Sequence, residues 1–92
     1  MKNKIEVEIF GQKYPLRSTE PEEHVRRVAK FVDGIMREVA ERTGLVSSLQ
    51  IAVLAALYIA DEYIKGEREK EELKKKLKEQ VERLERFVRE EL

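Results

Sequence analysis

Nothing between Ser48 and Leu92 is strong enough to stop a helix. That half of the 92-residue chain has no proline, and its one glycine is Gly66. A glycine costs only about 1 kcal/mol relative to alanine in a helix interior. A helix of about 45 residues is roughly 65–70 Å long at 1.5 Å per residue. Ninety-two residues make one domain at most, and a domain of that size buries a thin core. The rest of the chain cannot cover such a rod, so the helix must project or find partners.

The two halves of this helix differ. Residues 49–60 are apolar nearly all round, as in a helix buried on every side. One small hairpin and one amphipathic helix cannot supply that cover, which points to a second subunit. Ala52, Ala56 and Ala60 recur every four residues and form a ridge that another helix can approach closely, with Ile59 alongside. Beyond Gly66 the chain is charged, with a thin apolar seam. Leu73, Leu77, Val81, Leu84, Val88 and Leu92 step by 4, 4, 3, 4 and 4. That is an eleven-residue pattern as much as a heptad, and it predicts a nearly straight or slightly right-handed bundle. Gln80 and Phe87 flank the seam and widen it toward a four-helix contact. Glu-to-basic spacings of four, such as Glu71–Lys75 and Glu82–Arg86, add about 0.2–0.5 kcal/mol each. The expected oligomer interface is Ala52, Ala56, Ile59 and Ala60, then Leu73, Leu77, Val81, Leu84 and Val88. The expected division is a globular head over residues 1–65 and a coiled-coil extension over residues 66–92.

Upstream, Ile5, Val7 and Ile9 alternate with Glu6 and Glu8, the period of a half-buried strand. Gly11-Gln12 is the expected tight turn. Tyr14 and Leu16 continue the period on a return strand whose Pro15 marks an edge. Pro21 opens a helix expected to run to Thr43, with Glu22 and Glu23 complementing its dipole and Gly44 as the C-terminal cap. Val25, Val28, Ala29, Val32, Ile35, Met36 and Val39 form one apolar stripe, with Phe31 near its edge. Ser47 or Ser48 caps the second helix. The fold class is therefore α+β: a β-hairpin plus two helices (ββαα), the second long and ending in a coiled coil.

The composition carries little chemistry. There are 19 basic and 19 acidic residues, so the net charge is zero, which argues against a dedicated nucleic-acid binder. There is no cysteine, which excludes disulfides, thiolate catalysis and Cys-based metal sites. Met1 to Lys4 run straight into the alternating strand with no apolar signal region, and the longest apolar run, 51–60, is half of what a membrane span needs. A soluble cytoplasmic protein is expected. His24 has only Glu22 and Glu23 beside it and reads as a surface histidine, not a metal ligand. Ser47-Ser48 reads as a helix cap, and the glycines at 11, 34, 44 and 66 make no phosphate loop. Arg26-Arg27 and Lys74-Lys75-Lys76 are interleaved with acid and read as solvated faces. No enzyme and no cofactor is expected.

Hairpin, helix and long helix together resemble the ZapA family of bacterial cell-division proteins. The resemblance is carried by Val7-Glu8-Ile9-Phe10-Gly11 with Gln12-Lys13-Tyr14-Pro15-Leu16, and by Val28-Ala29-Lys30-Phe31-Val32-Asp33 with Met36-Arg37-Glu38. Its most specific stretch is Ile51-Ala52-Val53-Leu54-Ala55-Ala56-Leu57-Tyr58-Ile59-Ala60-Asp61-Glu62. The resemblance implies a scaffold that binds FtsZ, the tubulin-like GTPase of the division ring, and cross-links its filaments at mid-cell. It implies homodimers that pair into tetramers through their C-terminal helices. By resemblance the filament contacts fall on Gln12, Lys13, Arg37, Arg42 and Ser47. Gln12 stands where relatives are often basic, and Gly44 where some carry a charge. The rival reading is a generic coiled-coil adaptor whose head binds a different protein.

Overall fold

The computed structural model describes the backbone from residue 3 to 91 and the side chains from residue 4 to 86. The order is β1 (Asn3–Ile9), β2 (Gln12–Ser18), α1 (Glu22–Thr43) and α2 (Ser48–Glu91). This is the expected α+β arrangement, with a second helix of 44 residues. Contacts group the chain into two compact units, Met1–Leu57 and Tyr58–Leu92.

The hairpin is antiparallel, pairing Ile5 with Leu16, Val7 with Tyr14 and Ile9 with Gln12. Its turn is Phe10-Gly11, one residue earlier than the sequence led us to expect, and Gln12 begins β2. A two-residue loop of this kind needs positive φ at both positions. Phe10 adopts 50° and Gly11 adopts 80°. The left-handed region costs a non-glycine residue about 1–2 kcal/mol, so Phe10 must be held there. Because the loop makes Ile9 and Gln12 a hydrogen-bonded pair and such pairs alternate, Pro15 opposite Glu6 falls at a position that needs no ladder donor. Pro15 therefore breaks nothing.

Helix α1 starts at Glu22, with Pro21 as its N-cap residue at ψ 143°. It ends at Gly44, whose φ of 69° lets its N–H reach the Ala40 carbonyl at 3.0 Å. Ser47 is the residue that caps α2. Its Oγ accepts from the Gln50 N–H at 3.3 Å, and its carbonyl accepts from the Ile51 N–H at 3.0 Å.

The core follows from α1 having two jobs. Ala29, on its N-terminal half, packs with Ile5 and Val7 of β1. Met36, two turns later, packs with Ile51 and Ala55 at the start of α2. Ile9 touches both clusters and joins them. Burying an Ile or Met is worth about 1.5–3 kcal/mol, yet two of these six residues are alanines, so the core is thin. The expected stripe on α1 is wider than this core can cover. Val28 is 50% exposed and Phe31 57%. Likewise β2 leaves Tyr14 and Leu16 exposed, although each shares a face with its buried partner across the hairpin.

Candidate functional site

At the hairpin tip, the N–H of Phe10 donates to Asp33 Oδ1 on α1 at 2.7 Å. The other carboxylate oxygen, Oδ2, accepts from Arg37 Nε at 3.0 Å, one turn on. The Phe10 bond first, and the Arg37 bond second, hold the Asp33 carboxyl below its ordinary value. Asp33 is not among the residues expected from the sequence to contact a filament. Its only local signal was the acid–base spacing of four with Arg37, because the Phe10 contact spans 23 residues.

The residues expected to contact a filament fall into separate places. Gln12 opens β2, and its Oε1 accepts from the Tyr14 hydroxyl at 3.1 Å. It lines a groove of about 280 Å³ with Phe10, Met36, Leu49 and Ala52. Arg37 and Arg42 instead share a shallow depression on α1 with Gly34, Glu38 and Glu41. Lys13 lies within 4.0 Å of Glu6, and Arg42 within 2.9 Å of Glu38. Each of the three cations thus already has an acidic neighbour, and the depression is of mixed charge. Ser47 spends its hydroxyl on the α2 cap.

The expected oligomer residues are mostly open on the single chain. Ala52 is half-buried against the head cluster, and Ile59 is half-buried too, while Ala56 and Ala60 are exposed. Leu49, Val53 and Leu57 also stand exposed, at 75%, 51% and 62%. Further along, Leu73, Leu77, Val81 and Leu84 are all more than half exposed. Val88 lies outside the described side chains. Glu71 pairs with Lys74 at 3.8 Å, three residues on, not with the expected Lys75. Asp61 pairs with Lys65 at 2.9 Å, and that hydrogen bond raises the Lys65 pKa. Among the described residues no three His, Cys, Asp or Glu side chains converge to hold a metal ion. No single helix among them is long and apolar enough to cross a membrane.

A model of the family described as cell division protein ZapA matches residues 5–89. The chain belongs to the ZapA family. It is 42% identical over 77 residues to the cell division protein ZapA of Geobacillus thermodenitrificans, covering 84% of this chain and 85% of the relative. It is 40% identical over 76 residues to the ZapA of a Geobacillus species, strain WCH70, covering 83% and 87%. Among solved structures, a ZapA mutant dimer from Geobacillus stearothermophilus superposes with a TM-score of 0.67 at 38% identity, covering 85% of this chain and 91% of that one. An unknown conserved bacterial protein from Pseudomonas aeruginosa PAO1 has the same fold, with a TM-score of 0.61 at 23% identity over 91% and 98% of the two chains. The ZapA description is that of a cell division protein and names no reaction. The open apolar surface at the head end of α2 belongs to a fold that has been solved as a dimer in that relative.

Proposed function

We propose that this chain is a non-enzymatic, cytoplasmic scaffold of the mid-cell division ring, which binds FtsZ filaments and cross-links them. The observation that carries the reading is the open seam of Leu73, Leu77, Val81 and Leu84 on the same helix that begins in the head. A cross-linker needs two binding ends and a way of joining them. Linking modules raises avidity without any new contact. In this reading residues 1–65 act as the binding head and residues 66–92 as the coupling helix. Two chains pair through Ala52, Ala56, Ile59 and Ala60 with the exposed residues around them. Two such dimers then pair through the seam, Val88 included, into a tetramer with heads at opposite ends. Gln12, Lys13, Arg37, Arg42 and Ser47 are the proposed filament contacts. Contacts made through Lys13, Arg37 and Arg42 weaken as salt rises.

The test is co-sedimentation with FtsZ and GTP from the same source, at low and moderate salt. Co-pelleting with thicker filament bundles supports the scaffold. A well-folded oligomer that stays in the supernatant overturns it in favour of an adaptor whose head binds a different protein.

A further inference from the structure

The Asp33 carboxylate joins the hairpin tip to the middle of α1. Its Oδ1 takes the Phe10 N–H at 2.7 Å and its Oδ2 takes Arg37 Nε at 3.0 Å. Its neighbours in a shallow niche are Glu8, Arg26 and Lys30, and its own side chain is only 24% exposed. Phe10 sits at φ 50°, where a non-glycine residue does not rest unaided. Its ring packs against the Met36–Ile51 cluster and its N–H is tied to Asp33. Arg37 is 61% exposed, and the Asp33 contact uses Nε, which leaves its two Nη groups free of that contact. A guanidinium fixed in this way suits a planar acceptor, above all a carboxylate taken by two N–H groups.

We propose that Asp33 is a positioning residue: it fixes Arg37 relative to the hairpin tip, so that tip and α1 present one surface to a carboxylate on the partner protein. This rests on the reading that the head contacts FtsZ filaments. Only a carboxylate does this, since an asparagine has one acceptor oxygen. Asp33→Asn keeps an acceptor for Phe10 and turns an N–H₂ toward Arg37, which separates the two roles.

The experiment compares wild type, Asp33→Asn, Arg37→Lys, Arg37→Ala and the double variant Asp33→Asn/Arg37→Ala in FtsZ co-sedimentation. Oligomeric mass is read by light scattering and Phe10 amide exchange by NMR. Asp33→Asn is expected to raise the half-saturating concentration about fivefold, with mass and Phe10 protection unchanged. Arg37→Lys, which leaves Asp33 intact, is expected to weaken pelleting similarly, because an ammonium cannot present the fork. The double variant is expected to be no weaker than Arg37→Ala. Wild-type pelleting by Asp33→Asn, or losses that multiply in the double variant, overturns the proposal. If wild type itself does not pellet, the scaffold reading fails, and exchange decides the Asp33 claim alone. Arg37 Nε–H exchange at least about tenfold faster in Asp33→Asn supports it, and unchanged exchange overturns it.

Discussion

Arg26 ties α1 to the outer side of β1 through a main-chain acceptor: its Nη1 donates to the Glu6 carbonyl at 3.1 Å. Its Nε and Nη2 both donate to Glu22 Oε1, at 3.0 and 2.8 Å. Glu6 faces Pro15 at a position where strand pairing leaves its carbonyl without a ladder donor. Arg26 supplies that donor and is itself held by Glu22. Arg26→Ala is expected to destabilise the fold by about 1 kcal/mol. The check is the urea midpoint at fixed protein concentration, since association contributes to apparent stability. Arg26→Lys should recover less than half of the loss, because one ammonium cannot span both acceptors.

Ile51 is 1% exposed and is the centre of the Met36 cluster. Ile51→Ala leaves a cavity among Met36, Ala55 and Val39 and is expected to cost about 2–5 kcal/mol. Val46 is 96% exposed, and Val46→Ala should stay within about 0.5 kcal/mol. Thermal unfolding of the pair tests whether the thin core is where the stability resides.

Ala56 is exposed, so a longer side chain there disturbs nothing within the chain itself. Ala56→Glu should keep its helical circular dichroism and run as a monomer in light scattering, because it sets a charge in a close helix contact. A dimeric mass would remove this ridge from the interface. Truncation after Gly66 deletes Leu73, Leu77, Val81 and Leu84, and the product should sediment as a dimer with no tetramer. A tetramer after truncation would strip the seam of its role.

Asp33 gives the head an acid limit. Its carboxyl is held below the ordinary value of 3.8, chiefly by the Phe10 N–H and then by Arg37. A folded-state pKa below the unfolded one means that the carboxylate's contribution is complete above that ordinary value. It is lost as pH falls from there through the lowered one. The Asp33–Arg37 contact should therefore weaken below about pH 4, reported by the chemical shift of the Arg37 Nε–H. In Asp33→Asn that transition should vanish. Lys65 behaves in the opposite sense: raised above 10.5 by Asp61, its contribution is complete below that value and fades as pH climbs through the raised one.

The element order was legible because it rests on local chemistry. Alternation at Ile5, Val7 and Ile9 predicts a strand, Pro21 and Gly44 punctuate α1, and the lack of any stop after Ser48 predicts α2. Ser47 as a cap needs only the three residues that follow it. The seam from Leu73 onward is likewise a matter of spacing along one helix. All of these depend on contacts within a few residues.

What the tertiary structure decided depends on atoms far apart in the chain. The turn falls on Phe10-Gly11, not Gly11-Gln12, because a carboxylate 23 residues away meets the Phe10 N–H and a phenylalanine ring has a cluster to enter. Val28 and Phe31 belong to the apolar stripe by periodicity and are nonetheless exposed, because among the described residues the core of α1 is made with β1 and the start of α2. Gln12 lines one groove while Arg37 and Arg42 line another depression, a division made by packing and not by spacing along the chain. Periodicity states which residues can be buried. Which of them are buried, and which polar groups meet, was settled by the few long-range contacts that this small core can make.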